Sequence, residues 1–302
     1  MKTAQYGRWG QCIRLENGRL ELLVTRERGP RVIRLGFIGG RNLFREFPED
    51  AALGGDDRWK IYGGHRLWHA PEMYPRTYVP DNGPVDATGD GRKVVLTQET
   101  EKRTGIQKVL AIEMSEDENR VTVTHTLTNR NLWEVELAVW ALSVMSEGGL
   151  AVIPQEPYSS HSATLTPVRP MALWAYTDMN DPRWRWGRKY VSLKQVPGAP
   201  PTKAGFGNSR GWCSYLLDDL VFLKCFRYIP GAVYPDFGSS VELFTNENML
   251  ELESLGPLVR LAPDEAVTHT EYWGLFKDLQ IADTDDSLDE ILLPLVEEIL
   301  EV

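Results

Sequence analysis

Between Ile61 and Asn82 the chain reads IYGGHRLWHAPEMYPRTYVPDN and gathers His65, Arg66, Trp68, His69 and Glu72 into one short stretch. An imidazole exchanges protons near neutral pH, a guanidinium offers a planar fork of donors, and an indole presents a flat apolar face. Acid-base chemistry, a cation and a stacking surface therefore occur together. A second set lies far downstream, in LELESLGP, where Glu251 and Glu253 have the same parity. On a strand they share one face, so the carboxylate pair points either into a pocket or into solvent. A metal centre would compete for the same residues, because His65 and His69 lie four apart with Glu72 beyond. That spacing makes a ligand face on a helix, and Pro71 disfavours a helix here, so no metal site is expected.

Weaker candidates follow. In TDMNDPRWRWG, the indoles Trp184 and Trp186 stand beside Asp178, Asp181 and Arg185 and could line the mouth of a pocket or belong to a packed cover loop. Lys203 in KAGFG and Asp236 in YPDFG sit in turn contexts. His125 alternates with Val121 and Val123 and reads as a structural histidine.

These residues must be positioned by the elements around them. Gly63 and Gly64, with Pro71, Pro75 and Pro80, make Ile61–Asn82 read as a long ordered loop held by a scaffold. The scaffold is β. RLELLVT, RVIRLGFI, KVVLTQE, IQKVLAIEM, RVTVTHTLTN and WEVELAVWALSVM are rich in β-branched residues and partly alternating, with Asn17-Gly18 and Gly29-Pro30 as turns. Pro48 to Asp57 reads as a polar loop. About fifteen such strands are expected, with one convincing helix at the end. There Ser287 and Glu290 form a capping box, Leu288, Ile291, Leu292, Leu295, Val296 and Ile299 recur at helical spacing, and Pro294 should introduce a kink. The pattern predicts an all-β fold, a large antiparallel sandwich with a short C-terminal helix, as a single domain over 1–302.

Composition narrows the function. With 33 Lys plus Arg against 43 Asp plus Glu, the net charge of −10 disfavours nucleic acid and anionic membrane as partners and suits a neutral small molecule. No run approaches the roughly 20 apolar residues that span a bilayer, and the N-terminus has no signal-type apolar core, so a cytoplasmic protein is expected. Cys12, Cys213 and Cys225 lack metal-ligand spacing and read as buried free thiols. No nucleotide or flavin motif calls for a cofactor. The ten tryptophans are a high count, and their flat faces serve sugar rings as well as cores. Nothing in the sequence specifies an oligomeric state.

Three stretches resemble the galactose mutarotase-like superfamily, which includes the aldose 1-epimerases. The Asn17-Gly18 turn, the strand Leu20 to Val24 and GPRVIRLGFIGGRNLF look like the family's opening strands. Gly63-Gly64-His65 with Trp68 looks like its glycine-histidine loop at the sugar pocket. MLELESLGPLVRLAPDEAVTHTEYW is similar to the strand that carries the catalytic glutamate and the return strand after it. The resemblance implies a β-supersandwich and a small carbohydrate as ligand, with acid-base chemistry at the anomeric carbon. It makes Glu253 the base, with Glu251 as its same-face neighbour, and His65 the acid, with His69 as the alternative. Arg66 would hold a hydroxyl or a sugar carboxylate, Trp68 would stack on the ring, and Glu72, Trp184, Trp186 and Lys203 would complete the substrate site. One departure stands out: the family's second histidine is missing from Val135 to Met145, which offers Trp140 and Ser143 instead. A sugar-binding module without catalysis, and a lyase or hydrolase of oligosaccharides, are therefore the alternatives. His65 and Glu253 are expected to line one pocket.

Overall fold

The computed structural model describes residues 1–52 and 58–300. Two large antiparallel sheets face each other. The first runs, edge to edge, through Lys2–Gln5, Gln11–Glu16, Leu20–Thr25, Arg31–Phe37, Gly64–Ala70, Val135–Met145, Leu250–Leu255, Val241–Thr245, Thr202–Phe206 and Met171–Leu173. Val259–Leu261 pairs beside it on Val135–Met145. The second runs through Trp184–Trp186, Tyr190–Lys194, Leu150–Pro154, Trp212–Leu217, Leu220–Phe226, Ala266–Phe276, Arg120–Asn129, Ile106–Met114, Lys93–Gln98 and Val85–Gly89. The expected all-β supersandwich is what the chain forms.

Between the sheets the inward residues of alternating strands make the main core. Val121 and Val123 of one sheet meet Leu22, Val24, Leu250 and Leu252 of the other. Cys12, Cys213 and Cys225 are buried free thiols. The helix Asp285–Leu300 docks Leu288, Leu292, Val296 and Ile299 on the outer face of the second sheet, against Val221, Leu223 and Trp212. It begins two residues before the expected cap, because Thr284 Oγ1 accepts from the Ser287 amide while Ser287 Oγ accepts from Ala282. It continues through Pro294, which is exposed.

The stretch read as a loop is the main difference. Gly64–Ala70 is a central strand, buried along its whole length, with neighbours on both sides. Its glycines are what allow this. A Cβ on Gly63 would stand 2.1 Å from the Arg45 carbonyl oxygen, and one on Gly64 would stand 2.2 Å from that of Val32, both at positive φ. Pro71 then closes the strand, as it lacks the amide that would continue the ladder. Buried on both faces, GHRLWHA needs no hydrophobic alternation, and His65 and Arg66 find their partners in three dimensions. Of the expected polar loop Pro48 to Asp57, Pro48–Ala52 is a short helix and residues 53–57 lie outside the described residues.

Candidate functional site

Strand register builds the site directly. Leu142 lies opposite Arg66 on one side and Glu253 on the other, Glu253 lies opposite Glu242, and Glu242 lies opposite Gly205. One row of side chains thus crosses five strands on the outer face of the first sheet. The next row is Trp68, Trp140 and Leu255, and a third contains Val144, Glu251, Phe244 and Lys203. Gly205 is required in this layout: a Cβ there would come 2.3 Å from Ser239 Oγ and 3.4 Å from Glu242 Cγ.

Over this face opens a cleft of about 380 Å³, lined by Arg66, Trp68, Trp140, Lys203 and Glu251 from the strands. Glu72 and Tyr78 line it from the segment after Pro71, Trp59 from the segment before the central strand, and Tyr176 from a loop of the opposite wall. Its aromatic side is continuous, with Trp68 packed 5.3 Å from both Trp140 and Tyr78, and Trp59 5.3 Å from Tyr78. Arg66 lies over Trp68, its guanidinium carbon 4.3 Å from the ring centre, and donates to Glu251 Oε1 at 2.8 Å. Tyr78 donates to Glu72.

Lys203 sits at the floor. Its Nζ is 2.7 Å from Glu242 Oε2 and 3.1 Å from Glu253 Oε2, between the rings of Trp140 and Trp174 at 4.8 and 4.7 Å. The Trp140 indole N–H also donates to Glu253 Oε2, at 2.8 Å, while Glu253 Oε1 has no hydrogen-bond partner. Burial raises the Glu253 carboxyl above its ordinary range, against the pull of Lys203 and the Trp140 N–H. Burial raises Glu242 further. For Lys203, burial works toward the neutral amine, but Glu242 and Glu253 outweigh it and hold the ammonium well above its usual range. One buried cation serves two carboxyl groups, so Glu242 and Glu253 share a proton as a pair.

Parity also decides what does not face the cleft. His65 and His69 alternate with Arg66 and Trp68 and point between the sheets, away from Glu253. The expectation that His65 and Glu253 line one pocket is not met. His65 Nε2 lies 2.7 Å from His125 Nε2, and His65 Nδ1 lies 2.9 Å from Ser143 Oγ. His125 Nδ1 donates to the His269 carbonyl, leaving its Nε2 to accept from His65 Nε2–H, while the Ser143 hydroxyl donates to His65 Nδ1. Glu271 accepts from Lys224 at 3.0 Å, Ser254 at 2.6 Å and Trp273 at 2.7 Å. Burial pushes the imidazoles of His65, His125 and His269 down, the last to about 4.

His65, His125 and Glu271 also form a group with donor atoms close enough to consider a metal. Every one of those atoms already has a partner, and Lys224 supplies the charge Glu271 needs, so a divalent cation would leave excess buried positive charge. The cluster reads as a core network. His125 is the structural histidine its alternation predicted.

Trp184 and Trp186 stack at 5.0 Å on an edge strand of the second sheet and are not among the cleft-lining residues. Trp184 is buried, with its indole bonded to Thr202, because its face turns toward the core. Lys203 belongs to a strand, not a turn, whereas Asp236 does lie in a tight turn with φ 49°. Sequence reasoning passed over Glu242, Trp59, Tyr78, Trp174 and Tyr176. Glu242 had a signal in VELFT, where Glu242 and Phe244 alternate with Val241 and Leu243. The aromatics from loops had none.

No family model matches the sequence, and no curated protein does. Solved structures do match across nearly the whole chain. A candidate aldose 1-epimerase of Escherichia coli K12 superposes with a TM-score of 0.59 at 12% identity, over 88% of this chain and 99% of the other. The fold is that of the galactose mutarotase-like proteins. A galactose mutarotase-like protein of Lactobacillus casei superposes with a TM-score of 0.52 at 13% identity, over 88% and 100% of the two chains. Another from Clostridium acetobutylicum gives 0.52 at 12% identity, over 91% and 98%. At these identities the likeness is one of architecture alone.

Proposed function

We propose that the cleft binds a monosaccharide-sized carbohydrate and acts at its anomeric carbon as an aldose 1-epimerase, with Glu253 as the base. The observation that carries this reading is the conjunction of a continuous aromatic wall with a floor of polar groups in need of partners. Arg66 Nε and Nη1 in the lining, and Glu253 Oε1 and Glu242 Oε1 on the fully buried carboxyls paired with Lys203, make no hydrogen bond to a described residue. Buried polar atoms are normally satisfied, and a polyhydroxyl ring supplies both acceptors and donors while its apolar face covers an indole. In the reaction, Glu253 Oε1 takes the proton of the anomeric hydroxyl while Lys203 and the Trp140 N–H hold Oε2, and the ring opens as its oxygen gains a proton. A carboxyl raised by burial is a stronger base than an exposed one. Tyr176, which lines the cleft and is kept a neutral phenol by burial that pushes it up to about 12, is the proposed donor to the ring oxygen; when the ring recloses on the other face it takes that proton back while Glu253 returns its own to the anomeric oxygen.

A second reading is a carbohydrate-binding module without turnover, favoured by the fact that no described histidine lines the cleft. One pair of measurements separates the two. Thermal shift across a panel of free aldoses reports binding, since a ligand at a hundred times its dissociation constant stabilises the native state by about 2.7 kcal/mol. NMR exchange between the anomers of each stabilising sugar then reports turnover. Faster exchange supports the epimerase, stabilisation without faster exchange supports the binding module, and no stabilisation by any sugar overturns both.

A further inference from the structure

On the side of the central strand facing away from the carbohydrate cleft, a second cavity of about 340 Å³ opens at one end of the sandwich. His69 lies in its lining, 2% exposed, with neither ring nitrogen hydrogen-bonded to a described residue. The nearest acid, Glu101, is 3.9 Å from His69 Nε2 and is engaged by Lys108 and Thr104, both at 2.5 Å. Ile106, Val135 and Leu137 form apolar walls, and Trp133 stands at the rim, 63% exposed. Arg76, half-buried, and Arg103, exposed, also line the cavity, and neither has an ion pair among the described residues. Arg76 donates only to the Pro71 carbonyl, and its Nε is unpartnered. Glu136, the one carboxylate among the lining residues, is held by Arg260 at 3.0 Å.

Two guanidinium groups without a carboxylate partner among the described residues thus face one cavity in a chain of net charge −10. Beside an apolar wall and an exposed indole, they complement a molecule that is anionic at one end and apolar at the other. We propose that this cavity is a second ligand site, for a small organic anion whose carboxylate or phosphate lies between Arg76 and Arg103 and whose apolar body rests on Trp133 and Ile106. The site stands apart from the carbohydrate reading, since it shares no lining residue with the cleft.

Calorimetric titration of the full chain with 1-naphthoate, 1-naphthyl phosphate and the neutral 1-naphthamide tests it. At least one anion should bind, at least tenfold more tightly than the amide, and the preferred anion tells carboxylate from phosphate ester. The R76Q/R103Q double variant should lose at least tenfold in anion affinity while keeping its melting temperature, and W133A should weaken anion and amide alike. Should the double variant not fold, the anion-to-amide ratio and W133A decide. Equal affinity for anion and amide, no binding of any probe, or undiminished anion binding by the folded double variant overturns the proposal.

Discussion

His65 and Arg66 are adjacent in the chain and lie on opposite faces of one sheet: His65 is bonded to His125 across the sandwich core, and Arg66 to Glu251 across the cleft. A one-residue step thus separates a structural network from a candidate ligand site, as strand pleating requires. Substitution should separate them too.

Glu253→Gln keeps the shape of the floor and its acceptor for the Trp140 N–H while removing the proposed base. Anomer exchange should fall at least a hundredfold, in line with the usual size of acid-base effects, with folding largely intact. NMR exchange rates and a urea melt on the same sample check both halves. Exchange at the wild-type rate would remove Glu253 from the mechanism.

Lys203→Met should behave differently, because it leaves Glu242 and Glu253 buried without their cation. Breaking a buried ion cluster by removing one partner costs about 3–5 kcal/mol. Urea denaturation should report a loss of that order, and Glu242→Gln in the same chain should restore part of it by removing one of the competing carboxyls.

His65→Ala is expected to damage the fold before any activity. It removes the donor to His125 and the acceptor for Ser143 at a fully buried site and leaves a cavity, a combined cost of about 2–4 kcal/mol. A variant that melts like the wild type but has lost turnover would instead give His65 a functional role.

Acid should destabilise the protein from near pH 6.5 downward. In the unfolded chain the three core histidines take up protons near their ordinary value, whereas burial holds His65, His125 and His269 below it, His269 at about 4. Above pH 6.5 they are neutral in both states and contribute no slope. Below about 6.5, and for His269 down to about 4, the unfolded state binds more protons, so stability falls by up to about 1.4 kcal/mol per pH unit for each histidine still neutral in the folded state. Glu271, held below its ordinary range in spite of burial by Lys224, adds to the loss as the unfolded carboxylate protonates near pH 4.5. Denaturation midpoints at pH 7.5 and 5 measure the slope, and equal midpoints would contradict it.

Gly64→Ala should cost at least about 2 kcal/mol, because the new methyl meets the Val32 carbonyl at 2.2 Å in a backbone of φ +70°. Thermal melts check this directly.

Local pattern determined the β scaffold, the C-terminal helix with its apolar stripe, the buried thiols and the inward face of His125. Each follows from periodicity and turn residues, which act over a few positions. It also put Glu251 and Glu253 on one face, as alternation alone requires. Which face that was, and what joined it, came only with the tertiary structure. Gly64–Ala70 carries polar side chains on both faces, so the sequence has no hydrophobic alternation to mark it as a strand or to tell its two sides apart. Its register against Val135–Met145 sends Arg66 and Trp68 to Glu251 and Trp140, and His65 to Ser143 and the second sheet. Glu242 and Glu253 meet across two consecutive strands, and Lys203 joins them because Thr202–Phe206, from an earlier part of the chain, pairs beside Val241–Thr245. That last pairing, like the one that brings Arg66 to Glu251, links positions with no local relation in sequence, so no local pattern could have shown it.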